Sequence, residues 1–428
     1  MSEEGDLRDD VLERMSRRAF LRSGGLALVS LGLDPLFLER AAFAREDAPS
    51  ARGRVLVCLF QRGAVDGLSM VIPHGDAYYR QERPRIAVPT GEVLDLDGHF
   101  GLHPGLSGLM PLWKQGSLAI VHAVGSPDIT RSHFDAQDYM ESGTPGIKST
   151  REGWLNRLAQ HEQEHRDTPF QSVAFGPQLP RILAGSAPAL AISDLRAFGI
   201  GVKRPGARDR LTRAFEDLYQ ASATGIVASS AAEGFEAVQM LQKINPDSYQ
   251  PANGAQYPEG KLGRSLRQIA QLIKADLGLE NAFADVGGWD THIAQGAGQG
   301  QLANRLRELG DALAAFAKDL GDRMSDVVVL TMSEFGRTIS ENGSGGTDHG
   351  HGTAMFVLGG AVRGGRMVGR WPGLAPGDRY QGRDLAVTTD FRDLFTEVLA
   401  RHTGATRLDA VFPGYSVSPD RFPGVFAA

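Results

Sequence analysis

Residues 54–60 read Arg-Val-Leu-Val-Cys-Leu-Phe, and residues 326–332 read Asp-Val-Val-Val-Leu-Thr-Met. Both are short, continuous apolar runs rich in β-branched residues, the composition of a strand covered on both faces. Four further runs of this kind lie at 117–124 (Ser-Leu-Ala-Ile-Val-His-Ala-Val), 171–175, 281–286 and 354–358. Longer patterns of helical period alternate with them, at 133–142, 152–161, 207–220, 228–243, 261–276, 300–319 and 391–402. Within 300–319, Leu302, Leu306, Leu309, Leu313 and Phe316 recur at spacings of three and four, which lines one helix face with apolar side chains. The alternation predicts an α/β fold with a mainly parallel central sheet and helices on both faces. The stretch 200–260 is helical and polar with Gly, Pro and Asn punctuation at 245–260, and reads as a helical insertion over the sheet.

Composition narrows the function classes. The 428 residues include 45 Lys and Arg against 51 Asp and Glu, a formal charge of −6, and 42% are hydrophobic. That is enough apolar material for a core, and the mild acidity offers no general attraction for nucleic acid or an anionic membrane. The lone Cys58 excludes an internal disulfide and a Cys-based zinc site; inside an apolar strand it reads as a core residue. No G-x-x-x-x-G-K-[ST], G-x-S-x-G or early strand-linked G-x-G-x-x-G occurs, so a P-loop, a serine-hydrolase elbow and a dinucleotide site have no support.

The amino terminus reads as an address. Ser16-Arg17-Arg18-Ala19-Phe20-Leu21 precedes an apolar stretch, 24–33, and Ala42-Phe43-Ala44 places small residues where a signal peptidase cuts. These features predict a twin-arginine signal peptide over 1–44, read by the twin-arginine translocation machinery, and a domain of 45–428 delivered to the periplasm or the exterior. The apolar stretch is short for a bilayer of ~30 Å, so no stable membrane span is expected after cleavage. That route moves folded proteins, often loaded with a cofactor, which favours a bound metal.

In open parallel sheets, ligands bind outside the carboxyl ends of the strands. The segments at those ends hold Gln61-Arg62-Gly63-Ala64-Val65-Asp66-Gly67-Leu68, Gly125 to Asp135, Gly287-Gly288-Trp289-Asp290-Thr291-His292 and Ser333-Glu334-Phe335-Gly336-Arg337-Thr338. The turn before 354–358 adds Thr347-Asp348-His349-Gly350-His351-Gly352. Asp290 and His292 are two apart and project to one side of extended backbone, as do His349 and His351. An Asp-x-His pair meeting another His leaves an open position of the kind catalytic metal sites need. The expected cofactor is a divalent metal, zinc or manganese, with magnesium or calcium where oxygen ligands dominate. Asp348 is read as a ligand, as a carboxylate fixing a histidine tautomer, or as a turn holder. Ser132 and Thr130 lie at a strand-to-helix transition, where a hydroxyl serves either as a nucleophile or as the helix cap. Arg131 and Arg337 are forks for an anion or else ion-pair partners.

The Arg62–Leu68 turn, Ser132-His133-Phe134, and above all the 287–292, 333–338 and 347–350 segments resemble the bacterial domain-of-unknown-function family 1501, exported relatives of the alkaline phosphatase and sulfatase superfamily. The resemblance spans roughly the whole mature chain and implies an alkaline phosphatase/sulfatase-like fold. It implies Asp66 as the early metal ligand, Ser132 or Thr130 as the nucleophile, Asp290 and His292 as middle ligands, and His349 or His351 as the last. Ser333-Glu334-Phe335-Gly336 stands where Ser-Asp-His-Gly would be expected, which puts Glu334 among the candidate ligands and leaves Phe335 unable to bind a second metal. The sulfatase Cys-x-Pro-x-Arg sequence is missing, so a formylglycine sulfatase is not expected. The resulting expectation is an exported metal-dependent hydrolase of phosphate or sulfate esters, acting on a small anionic ester or glycan. The alternative is a non-catalytic binding or scaffold protein that retains the fold.

Overall fold

The computed structural model describes residues 53–161, 168–196, 237, 240 and 246–427. The leader 1–44, helix 207–220 and most of helix 228–243 lie outside the described residues. Twelve strands occur among them: β1 (Val55–Gln61), β2 (Val71–Ile72), β3 (Leu94–Asp95), β4 (Gly101–Leu102), β5 (Leu118–Gly125), β6 (Ser172–Phe175), β7 (Leu190–Ile192), β8 (Asn281–Val286), β9 (Val327–Met332), β10 (Thr353–Gly359), β11 (Arg366–Val368) and β12 (Thr389–Asp390). Nine of them form one sheet in the order β11-β5-β10-β9-β1-β8-β6-β7, with β12 also paired to β5; β2, β4 and β3 form a small antiparallel sheet. The six apolar runs picked out in the sequence are β1, β5, β6, β8, β9 and β10, and they make the centre of the large sheet. Its pairings are parallel except those of β10, which runs antiparallel to both β9 and β5.

Helices cover both faces, as the alternation predicts. Val55, Val57 and Leu59 of β1 point to one side, where Leu262, Leu266 and Ile269 of helix Lys261–Lys274 meet the stripe Leu302, Leu306, Leu309, Leu313 and Phe316 of helix Gln301–Leu320. Leu56, Cys58 and Phe60 point to the other, against helix Trp154–His161 and helix Phe391–Val398. Every stripe residue of Gln301–Leu320 is at least 99% buried, and each such side chain contributes roughly 1.5–3 kcal/mol of transfer free energy. Burial pushes the Cys58 thiol well up, consistent with an inert core residue. The 391–402 pattern stays α-helical to Val398 and finishes in a π-turn, Leu399–Thr403. The described end of the 200–260 stretch is pinned to helix Gln301–Leu320, where Tyr249 and Tyr257 donate to Asp319 at 2.6 and 2.8 Å. No helix among the described residues is long and apolar enough to cross a membrane.

Candidate metal centre

The parallel strands β1, β5, β8 and β9 end on one edge of the sheet and release the loops 62–66, 126–132, 287–296 and 333–338 there. Because β10 runs the other way, it is the chain before it, 347–352, that arrives at this edge. The loops pack tightly. Gly63, at φ +118°, brings its Cα so near loop 287–290 that a Cβ would lie 2.8 Å from the Asp290 nitrogen. At Gly350 an added Cβ would run into the Arg337 backbone, which pairs with His349 through an isolated bridge.

Four side chains meet: Asp290 and His292 of loop 287–296, His349 of 347–352, and His133, which opens the helix after loop 126–132. Asp290 Oδ1 lies 3.0 Å from His292 Nε2 and 3.3 Å from His349 Nε2, while Oδ2 lies 3.6 Å from His133 Nε2. The two nitrogens His292 Nε2 and His349 Nε2 face each other at 3.0 Å. One ligand atom from each of His133, Asp290 and His349 lies within 4.8 Å of the others.

The opposite nitrogen of each ring meets an oxygen acceptor. His133 Nδ1 donates to Glu334 Oε1 (2.8 Å), His349 Nδ1 to the Arg131 carbonyl (2.9 Å), and His292 Nδ1 faces Asp348 Oδ1 (3.3 Å). The Arg131 carbonyl only accepts, so it places the His349 ring proton on Nδ1 and leaves its Nε2 a lone pair, whereas His133 and His292 each lie between two carboxylates and can carry a proton at either nitrogen. With every Nε2 unprotonated, three lone pairs and a carboxylate converge, an arrangement that a cation among them stabilises. His133 Nε2 is buried and has no hydrogen-bond partner in the protein. The donor set, three imidazoles and one carboxylate with each ring anchored behind, fits a divalent cation such as zinc or manganese.

Glu334 stands behind this group and is not one of its inward-facing members. It is fully buried, and its Oε1 accepts from the Gly63 amide, His133 and Gln137 at 2.8, 2.8 and 2.9 Å. Burial alone would raise its pKa, but the bonds from His133, Gln137 and the backbone outweigh that and hold it below the usual carboxylate range. In return, the Glu334 bond raises the basicity of His133. Asp290 is likewise held low, against its partial burial, by Arg337 and the neighbouring histidines. Burial and the nearby His133 depress His349, so that ring favours the neutral, ligating form.

Arg337 acts as a clamp. Its guanidinium is 99% buried and donates to the carbonyls of Ala64 (2.7 Å), Gly63 (2.5 Å), Trp289 (3.2 Å) and Thr347 (3.1 Å), and to Asp290 Oδ1 (2.5 Å), tying three loops together. Each of its three nitrogens has at least one acceptor within these loops. Asp66 is also fully buried, but Arg83 Nη1 and Gln295 Nε2 both reach its Oδ2 at 2.7 Å, and its hydrogen bonds run to these residues and not to the histidine cluster. His351 faces elsewhere too, stacked on Tyr380 with ring centroids 4.4 Å apart. Asp348 anchors His292 and accepts from Asn342 at 3.0 Å. Ser132 caps helix His133–Ser142 by a long 3.5 Å contact from the Asp135 amide, and Thr130 Oγ1 accepts from the Ser132 amide at 3.2 Å. Arg131 is 30% exposed; it pairs with Asp384 at 2.6 Å, and its Nε has no partner.

The structure thus gathers Asp290, His292 and His349, puts Asp348 and Glu334 behind the rings, and sets Asp66 and His351 apart. Sequence reasoning missed His133 as a member. It is the first residue of its helix and has no ligand partner at a short fixed spacing; its place where the loop after β5 enters a helix was the available signal.

The chain belongs to the family described as protein of unknown function (DUF1501), whose model matches residues 54–412. Comparison with curated proteins gave no match. Solved structures similar to it include PsFucS1 sulfatase from Pseudoalteromonas sp., at 12% identity and a TM-score of 0.40 over 92% of this chain and 76% of that one. The C-terminal periplasmic domain of EcEptC from Escherichia coli, in complex with Zn, is 9% identical with a TM-score of 0.33, covering 74% and 75%. The phosphonate monoester hydrolase of Agrobacterium radiobacter is 11% identical with a TM-score of 0.32, covering 85% and 78%.

Proposed function

We propose that this chain is an exported, metal-dependent hydrolase of phosphate or sulfate esters, with the alkaline phosphatase/sulfatase-like fold that its sequence motifs imply. One observation supports it above the others: three histidines anchored through Nδ1 aim Nε2 at one carboxylate, an arrangement that makes electrostatic sense around a cation. His133, Asp290, His292 and His349 would hold the metal, zinc or manganese by donor type. A divalent cation bound there would polarise the ester's phosphoryl or sulfuryl oxygen as a Lewis acid. Arg131, whose carbonyl anchors His349 and whose side chain is 30% exposed, would hold the anionic group. Ser132 is the proposed nucleophile; its hydroxyl makes only the long cap contact and sits at the positive end of helix His133–Ser142, which lowers the cost of an alkoxide. Glu334 keeps the His133 proton on Nδ1, and Arg337 fixes the Asp290 carboxylate. The twin-arginine leader would place the folded protein in the periplasm.

The test is elemental analysis of protein purified without added metal, followed by turnover of aryl phosphate and aryl sulfate esters. Wild type should hold about one equivalent of metal and turn over one ester class, and Asp290→Ala should lose both; wild type with neither sinks the reading. A binding protein that keeps this architecture without chemistry is favoured by Phe335, whose ring lies against His133 and His349 at centroid distances of 5.0 and 5.1 Å. That reading expects a thermal shift with an anionic glycan and no product.

A further inference from the structure

Among the described residues, four large apolar side chains stand exposed: Phe134 at 89%, Ile293 at 66%, Ile129 at 63% and Ile147 at 46%. They are not scattered. Phe134 follows His133 in the chain and Ile293 follows His292, so each backbone lies ~3.8 Å from that of a cluster histidine. Ile129 is in the loop whose Arg131 carbonyl anchors His349. Ile147 belongs to a loop folded back on the same place: Lys148 pairs with Asp135 of the first helical turn at 2.8 Å, and a Cβ on Gly146 would lie 3.3 Å from Asp128. All four therefore lie in the chain that follows β8 (Ile293) or β5 (Ile129, Phe134 and Ile147), the two stretches that supply Asp290, His292 and His133. Single exposed apolar residues are ordinary, but a group confined to the stretches that build one polar cluster is the pattern of a ligand site.

We propose that these four side chains form a subsite for an apolar, preferably aromatic, organic group of the ester whose anionic end reaches the cluster, so that the enzyme takes aryl or alkyl esters in preference to sugar esters. The proposal rests on the metal-hydrolase reading and adds its substrate class. A sugar would leave Phe134 and the isoleucines against hydroxyl groups, whereas an aryl group removes apolar surface from water on both partners. Phe134 and Ile293 are the most exposed of the four, one from each stretch.

The experiment compares phenylphosphonate with methylphosphonate by calorimetry on the metal-loaded full chain, alongside Phe134→Ser and Ile293→Ser. These positions are exposed, so both variants should fold, and metal content is measured in each. Wild type should bind phenylphosphonate about tenfold more tightly than methylphosphonate, and the double variant should bring the ratio near one without losing metal. Metal present with equal affinities for the two ligands, or with neither bound, overturns the subsite and leaves the metal reading standing; protein without metal overturns the reading on which it rests. Dissociation of an oligomer in Phe134→Ser, with the ligand ratio unchanged, would assign these side chains to contacts between copies and also overturns the proposal.

Discussion

Glu334→Gln separates a histidine anchored for metal from one that happens to lie near a carboxylate. The substitution keeps the shape of the side chain but removes the charge to which Gly63, His133 and Gln137 donate. Hydrogen bonds to a charged group are worth about 1.5–3 kcal/mol and neutral ones about 0.5–1.5, so three weakened bonds cost about 2–4 kcal/mol of stability. The effect on metal is separate: with a less basic ring and a less firmly fixed tautomer at His133, affinity should fall about 10- to 100-fold, or about 1.4–2.8 kcal/mol. The assay is zinc competition against a chromophoric chelator at neutral pH, with urea unfolding of the apo and loaded protein. Gln137→Met is the control. It also removes a donor to Glu334 but leaves the Glu334–His133 bond, so it should lower stability without shifting zinc affinity. If Glu334→Gln is folded and holds zinc within about twofold of wild type, His133 is not a ligand backed by Glu334, and the convergence of lone pairs needs another explanation.

Arg337→Met would leave five acceptors from three loops without their donor, and a loss of about 3–5 kcal/mol in urea unfolding is expected; an unchanged midpoint would mean that the loops are held by other contacts. Two buried histidines give the fold an acid limit. His122 is held down at about 4 by burial, since its Nε2 donates to the Val71 carbonyl and its Nδ1 accepts from the Ala123 amide, leaving no place for a second proton; His402 is also near 4. Both pKa values lie below that of the unfolded chain, so the unfolded state binds protons first as pH falls. The stability these rings contribute is complete above about 6.5 and is lost on the way down to about 4, about 3 kcal/mol for His122. Unfolding free energies of wild type and His122→Gln at pH 7, 5.5 and 4.5 should converge toward acid; parallel losses would refute the assignment.

The strands were legible because burial on both faces writes itself locally, as a run of apolar residues with no polar alternation to interpret. Their order was not, since pairings such as β1 with β8, or β5 with β10, join residues far apart in the chain and no local pattern encodes them. The same division runs through the site. Asp290 and His292 declare themselves at a spacing of two. His133 depends on Glu334, 201 positions away, and only the fold makes that pair visible. Asp66 shows the converse: an acidic residue at a strand end has the right address for a ligand, but Arg83 and Gln295 engage it from within the core. Local sequence reports what a side chain can do, and the competition among partners decides what it does.

That competition also sets the direction from which a substrate can reach the cluster. Glu334 and Arg337 are sealed, and the Phe335 ring, 97% buried, packs against His133 and His349, so the inner side is closed. Exposure grows outward, from 23% for the side chains of His133 and His349 to 37% for His292 and 43% for Asp290. The antiparallel run of β10 makes this gradient possible. It delivers His349 from outside the sheet edge, with Gly350 allowing close approach to Arg337, while the parallel strands bring the clamp and the buried glutamate from beneath. A ligand therefore meets Asp290 and His292 first, on the side where the cluster is open to solvent.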